Sequence, residues 1–518
     1  MVIPPSLYHK SMLFFQKRHL ALILVFVLST IILLTNLNGQ DFSLDEPDTV
    51  AVARTIGEFG YPSAWDGRAL IDVEGNFTQI GNRYVWTWHP WLQHYLAYFG
   101  LHVFGKAPGD IRLIFAFFGV MTVLMTYHIA HALFKSRLVA LLVSVQLIFC
   151  LPFFLYIRQI RYYSPSAFFS VVTFYFFVKI DRQKNLSIKE KVGFLLSYIL
   201  LFLSNYIIWV SSAVLIAGKL VLSRQWKLLG AVFAISICAG IWFFIFRPYS
   251  GNAGLFVVQP IEVYHRVITY LHYINNVVLP AIVVAIGLIA TKRSELRIFL
   301  IWIGVKVFMY GTFQSAQGRY IVDIIPIVII LAGFVYQQLL KKQQLFLVTL
   351  IFLISAFTNV FSLALYPHEW KLRNVQFWPR AYFYELTGSY QSPMPQLGSY
   401  LKAQARPGDL FLSNEYRWYL YLYSDVPHAS TLCKDNHLAG PAGTADISKV
   451  RWIIMFRYNT RLIQDVKNLC EGDKLTGFKK IPMTFSSRTV RINDPDIVNR
   501  AFPPIPLRSD DIEIYEKF

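Results

Sequence analysis

Charge is scarce in this chain, and acid is scarcer than base. Asp, Glu, Lys and Arg make up 15% of 518 residues, with 30 acids against 49 bases, where an ordinary soluble domain carries roughly 25% charged residues. So little charge cannot build a polar shell, which excludes a soluble globular protein. Cysteine is equally thin. Its four copies make no disulfide framework: Cys150 and Cys238 fall in apolar runs and read as inert packing. Cys433 and Cys470 fall in the polar C-terminal part and would pair only in an oxidising compartment. No repeat of solenoid period and no low-complexity tract is present. A cleavable signal is not evident either, because the first apolar run (20–37) lacks a small-residue cleavage site and is long enough to stay as an anchor.

What fills the sequence instead is apolar and aromatic, 55% and 16% of residues, in runs near the ~20 residues that cross a bilayer as a helix. The expected fold class is an α-helical polytopic membrane protein. A formal charge of +19 invites a nucleic-acid partner, but lysine and arginine held on the cytoplasmic side of a membrane are the more ordinary source, so membrane lipids are the expected partner and nucleic acid is not. Lys10, Lys17 and Arg18 keep the N-terminus cytoplasmic. Residues 86–105, rich in Trp, Tyr and His, are short for a span and suit an interfacial helix lying flat.

With that segment flat, spans follow near 110–134, 138–157, 165–180, 192–208, 210–222, 228–246, 276–291, 298–314, 320–339 and 344–363. The clusters Lys135/Arg137, Arg182/Lys184/Lys189/Lys191, Arg224/Lys227, Lys292/Arg293/Arg297 and Lys341/Lys342 then all face the cytoplasm. Were it to cross, every one would face out. The total is about eleven spans. The pair 192–208 and 210–222 is read as a short hairpin, because one continuous helix would invert the later clusters. Residues 1–365 thus form the transmembrane domain, with 38–109 as its first extracytoplasmic loop. Residues 366–518 form an extracytoplasmic α/β domain, in which 409–412 and 450–456 read as strands, 462–469 as a helix, 488–492 as a late strand and 491–518 as loosely ordered.

The chemistry-bearing residues concentrate outside. Ser43-Leu44-Asp45-Glu46-Pro47-Asp48 crowds three carboxylates just past the first span, where a charge is expected to find a partner or a task. His89 lies in the flat segment. Arg158 and Arg161 follow the third span in Arg158-Gln159-Ile160-Arg161-Tyr162-Tyr163, Arg247, His265 and Arg266 precede the eighth, and Arg319-Tyr320 lies between the ninth and tenth. Short outer loops normally avoid arginine, and a planar guanidinium suits a bound phosphate. Plainer roles stand beside this one. Asp45 also suits the cap of a helix opening at Pro47, Arg158 and Arg161 also suit snorkelling or pairing with the acids, and His89 before Pro90 also suits a structural place. Trp86, Trp88 and Trp91 suit an interfacial belt. Lys306, inside a span, is either a functional charge or one half of a pair. Asn76-Phe77-Thr78 matches a glycosylation sequon, a weak three-residue signal.

The order of these features resembles the polyprenyl-phosphate-sugar-dependent glycosyltransferases of the GT-C fold. The resemblance rests on Asp45-Glu46 after the first span, the flat helix from His89-Pro90-Trp91 to Phe104-Gly105, Arg112-Leu113 opening the next span, and Arg319-Tyr320 ahead of Pro326. It covers roughly residues 20–363 and is nearest in character to protein O-mannosyltransferases, lipid A aminoarabinose transferases and related bacterial inner-membrane enzymes. It implies that Asp45 acts as general base on an acceptor hydroxyl or amine, with Glu46 assisting or positioning, and that the acceptor inverts the anomeric carbon of a sugar on polyprenyl phosphate. Under the same resemblance His89, Arg158, Arg161, Tyr162, Arg266, Arg319 and Tyr320 contact the donor, and His89 takes the place of a phosphate-contacting lysine. The acceptor would be a lipid, glycan or protein. Ser164-Pro165 departs from the lipid A subgroup, which carries Asp before that proline. Some GT-C enzymes hold a divalent metal with their acids, and a single acidic cluster is visible here. Two rival classes remain, a transporter or flippase of a lipid-linked sugar and a non-catalytic subunit of an envelope-assembly complex.

Overall fold

The structure, a computed structural model, describes residues 5–43, 45–68, 70–71, 77–183, 186–248, 259–290, 294–313, 316–363, 375–389, 392–413, 417–428, 449–456, 477–483, 489–490, 505–506 and 512–518. Most apolar runs form helices near their expected limits, with breaks inside 138–157 and 276–291. The first is α1 (Pro5–Leu34), followed by α2 (Glu46–Phe59), a hairpin of β1 (Phe77–Ile80) and β2 (Arg83–Trp86), and α3 (Leu92–Val103). Then come α4 (Pro108–Phe134), α5 (Arg137–Ile148), α6 (Leu151–Ile157), α7 (Tyr163–Arg182), α8 (Ile188–Ser204), α9 (Tyr206–Leu222), α10 (Trp226–Phe246) and α11 (Pro260–Tyr273). A π-helical turn (Ile274–Val278) leads into α12 (Ala281–Ala290) and α13 (Ser294–Gly311), and a 3-10 turn (Gly318–Ile321) into α14 (Ile325–Lys341), α15 (Leu345–Phe357) and α16 (Val360–Leu363).

Local chemistry explains several of these limits. α2 stops at Gly60, whose φ of 78° is left-handed backbone that glycine adopts without strain. The expected span 138–157 is broken: α5 and α6 meet at 65°, because Pro152 in the first turn of α6 cannot continue the preceding helix. Asn205 separates α8 from α9, and its side chain caps α9 by accepting from the amides of Ile207 and Ile208. The rings of Tyr198 and Trp209 lie 5.3 Å apart, whereas eleven residues of straight helix would separate them by about 16 Å. The chain therefore reverses at Asn205, as the hairpin reading requires.

Among the described residues, α4, the Tyr163–Ile180 part of α7, and α10 are long and apolar enough to cross a membrane, and α5 with α6 adds a broken fourth span. α4 runs through the middle, touching α1, α3, α5, α7 and α14, and α14 is buried from Ile325 to Tyr336. α10 is different. Phe233, Ile237, Ile241 and Phe244 are exposed, an apolar surface suited to lipid. Cys238 is exposed on the same helix, so it is not the core packing residue that its apolar run suggests, while Cys150 is buried as expected. Cys433, Cys470, Asn76 and the expected helix at 462–469 lie outside the described residues.

The C-terminal region opens with α17 (Pro379–Thr387) and α18 (Met394–Gln404), followed by β3 (Leu410–Ser413), α19 (Arg417–Ser424), β4 (Val450–Phe456), β5 (Phe478–Ile481), β6 (Thr489–Val490), β7 (Ile505–Pro506) and β8 (Ile512–Lys517). The main sheet runs β3-β4-β8-β5, with β3 parallel to β4 and the other pairs antiparallel. Residues 512–517, expected to be loosely ordered, are a central strand instead. Ile512 and Ile514 alternate with Glu513 and Tyr515, a period of two that overrides the polar composition.

A second core joins this region to the first loop: Val50, Ala51 and Ala53 of α2 and Ala97 of α3 pack with Leu397, Leu420 and Trp452. Three tyrosines of α19 stitch the same seam. Tyr419 donates to the Phe42 carbonyl, Tyr421 to Asp66 at 2.8 Å, and Tyr423 to Asp41. Ile514 is 1% exposed, so Ile514→Ala is expected to cost about 2–5 kcal/mol. Thermal unfolding with limited proteolysis would report this as early cleavage of the C-terminal region.

Candidate functional site

The site is built on a buried ion pair. Arg112, in the first turn of α4, gives its Nε to Glu46 Oε1 at 2.9 Å and its Nη2 to Glu46 Oε2. The same guanidinium donates to the carbonyls of Leu37 (2.9 Å), Gln40 (2.7 Å) and Asp41 (2.7 Å). Glu46 also accepts the amides of Ser43 (2.6 Å) and Ile160 (2.8 Å). Burial raises the Glu46 pKa, but Arg112 and the two amides outweigh it and hold the carboxyl below its usual range. One carboxylate thus fixes the exit of α1, the start of α2, the start of α4 and the corner between α6 and α7. With its side chain fully buried and both oxygens engaged, Glu46 is closed off within the frame.

Its neighbour Asp45 is directed elsewhere. It precedes α2 yet makes no side-chain capping bond, so the capping role is not the one it plays. Instead Arg319, on the 3-10 turn before α14, donates to Asp45 Oδ2 at 2.7 Å. Arg161, at the α6–α7 corner, has its Nη2 3.8 Å from the same oxygen. Its Nη1 donates to the Asp45 carbonyl (3.1 Å), Asp48 Oδ2 (3.2 Å) and the Thr49 hydroxyl (3.1 Å). The Asp45 side chain is 27% exposed against 15% for Asp48 and none for Glu46, which makes it the most open acid of this cluster. Tyr162 and Tyr320 lie under the two guanidiniums, each 5.8 Å from ring centre to carbon.

His89 completes the group. Its ring lies between Trp86 and Tyr162, near-parallel to both, and Arg161 Nη2 is 3.2 Å from Nε2. Guanidinium nitrogens only donate, so Nε2 accepts and the proton sits on Nδ1, which is buried with no hydrogen-bond partner among the described residues. Burial first, then Arg161, pushes its pKa well down. His89 is therefore a neutral N–H donor.

Two sequence candidates are not brought to Asp45. Arg158 donates to the Thr35 carbonyl at 2.5 Å, lies over the Phe154 ring and stands 4.0 Å from Glu385. It lines a separate small cleft with Gln40, Ser43, Arg112 and Glu385. Arg266, on α11, donates to the Phe313 carbonyl and pairs with Glu262 at 2.8 Å, bracing the chain ahead of Arg319. Sequence reasoning placed Arg112 as a helix-opening motif and missed its pairing. It also passed over Asp48, Thr49 and Gln93, whose Oε1 accepts the Tyr162 amide at 2.9 Å. Of these only Asp48 carried a signal, its place in the acidic stretch. The donor set does not fit a divalent ion: guanidiniums occupy the positions facing Asp45 and Asp48, and no trio of His, Cys, Asp or Glu able to hold a metal occurs among the described residues.

Comparison with known proteins follows the same lines. Residues 100–249 match the sequence model of the dolichyl-phosphate-mannose-protein mannosyltransferase family. No curated protein sequence matches the chain. Among solved structures, ArnT from Cupriavidus metallidurans bound to undecaprenyl phosphate is similar at TM-score 0.55 and 12% identity, over 86% of this chain and 94% of that one. Its apo form is similar at 0.54 and 12%, with the same coverage. The oligosaccharyltransferase AglB from Archaeoglobus fulgidus, in complex with an inhibitory peptide and a dolichol-phosphate, gives 0.53 and 12% over 89% of this chain and 72% of that one. The fold is thus the GT-C fold.

Two outcomes follow from this geometry. Glu46→Ala strands a buried guanidinium, so it is expected to cost about 3–5 kcal/mol, read as loss of folded protein on detergent gel filtration, whereas Asp45→Asn stays monodisperse. Burial also lowers the pKa of His94 and of His428 to about 3 each, alongside His89. Below about pH 6.5 the unfolded chain takes up protons at these sites and the folded chain does not, so stability falls as pH falls. Thermal midpoints measured from pH 8 to pH 5 should therefore decline, and less steeply in His428→Gln.

Proposed function

We propose that this protein moves a sugar from a polyprenyl-phosphate donor to an acceptor on the extracytoplasmic face of a bacterial inner membrane, where its C-terminal domain also lies. The observation that carries the reading is the meeting of Asp45 with Arg319 and Arg161, residues more than 100 positions apart, at the most exposed acid of the cluster. In this mechanism the lipid-linked phosphate takes Arg319, with Arg161 beside it and His89 held against Arg161. Charge building on the leaving phosphate is met by donors already in place. Moving Arg319 from carboxylate to phosphate leaves Asp45 free to accept a proton from the acceptor hydroxyl or amine, which attacks the anomeric carbon from the opposite face and inverts it. Phosphate is a good leaving group, so no general acid is needed. The undecaprenyl phosphate in the similar ArnT structure and the dolichol-phosphate and peptide in AglB support a lipid-linked donor and a lipid or peptide acceptor, with a glycan acceptor equally compatible.

A transporter or flippase would need polar groups along a path through the spans. The main candidate for such a group, Lys306, is sealed against Asp323 with both side chains fully buried. A non-catalytic subunit would leave the Asp45 cluster without a task. Incubation with a radiolabelled polyprenyl-phosphate sugar separates the three, because only a transferase releases free polyprenyl phosphate. Asp45→Asn should reduce transfer by about 10²–10⁴-fold with the protein still folded, and full activity in that variant would refute the assignment. Arg319→Ala should raise the donor KM, and an unchanged donor KM would remove this arginine from the phosphate site.

A further inference from the structure

The Lys306–Asp323 pair lies away from Asp45, and its construction is complete. Lys306 Nζ donates to Asp323 Oδ2 and, at 3.2 Å, to the Ser170 hydroxyl. Ser170 donates to the same carboxylate at 3.0 Å, and Tyr310 donates to its other oxygen at 2.8 Å. Lys306 and Tyr310 stand one turn apart on α13, and Ser170 is on α7, so Asp323 ties three parts of the fold together. Full burial of both charges means that neither touches a ligand or lines a path. Apolar side chains of similar volume would often be at least as stable as a buried ion pair, so its role is sought in what it positions.

What it holds is the chain that carries Arg319. Asp323 lies four residues beyond Arg319, between the 3-10 turn and α14. At the near end, Arg266 on α11 grips the Phe313 carbonyl. Arg319 therefore sits between two anchors, one on α11 and one on α13 and α7. We propose that the Lys306–Asp323 pair is a positioning device that sets Arg319 against Asp45. It acts through the turn and not on substrate. Its part in donor binding rests on the function proposed above; its part in ordering the turn does not.

The test is the double variant Lys306→Met/Asp323→Leu, which removes both charges and leaves neither stranded. Hydrogen–deuterium exchange over residues 316–324 is measured in detergent. Donor KM and kcat are measured for this variant with and without Arg319→Ala. The proposal expects an unchanged melting temperature and exchange in 316–324 faster by about tenfold. It also expects kcat/KM lower by about 10–100-fold, with Arg319→Ala adding little further loss. Unchanged exchange together with an undiminished Arg319→Ala effect would overturn it. Should the double variant not fold, Tyr310→Phe removes one bond to Asp323 and is read the same way, faster exchange with a raised donor KM supporting the proposal and no change in either refuting it. A wild-type protein inactive with every polyprenyl-phosphate sugar would sink the functional reading, and the exchange measurement would still decide the positioning one.

Discussion

The whole face of the protein around Asp45 depends on one bidentate ion pair between Glu46 and Arg112. Burying two charges is costly unless every lone pair and N–H is met, and here the carboxylate takes two further amides while the guanidinium takes three carbonyls. Those bonds lock the exit of α1 to α2, α4 and the α6–α7 corner. They leave Asp45, one residue earlier, facing the opposite partners. Adjacent acids thus divide the work: Glu46 is sealed into the frame and Asp45 is left partly open.

The open acid is held in a restrained state. Arg319 and Arg161 crowd Asp45 from two separate stretches of chain, and each arginine is fixed by its own surroundings. Arg161 is spread over Asp48, Thr49 and a backbone carbonyl, and Arg319 rides on a turn anchored at both ends. On the proposed function, an arrangement of this kind would be prepared for an anion before the anion arrives, as fixed donors lower a barrier without reorganising during reaction. The tyrosines of α19 extend the same rigidity outward, since Tyr419 and Tyr423 fasten the C-terminal region to Phe42 and Asp41 immediately before the acidic stretch.

Much of this was legible in the sequence, for physical reasons. Apolar runs of bilayer length announce helices whatever their neighbours, and the hairpin at Asn205 followed from the charge clusters alone. Asp45 and Arg319 stood out in the sequence because acids are scarce in this chain and arginine is unusual in the short loops expected outside. Partnering was harder to read. Arg158 and Arg161 look alike in sequence, three residues apart on one corner, yet the turn aims the first at Thr35 and Glu385 and the second at Asp45. Glu46 and Asp45 are likewise indistinguishable until Arg112 chooses between them. The strand at 512–517 was overlooked because charged residues alternate with Ile512 and Ile514, and composition hid the alternation.

The most direct test of the central claim is an experimental structure of the protein in a lipid bilayer with polyprenyl phosphate bound. The account expects the phosphate oxygens within about 3 Å of Arg319 and beside Arg161, with the Asp45 carboxylate released from Arg319. A phosphate bound instead in the cleft at Arg158, with Arg319 still on Asp45, would contradict it.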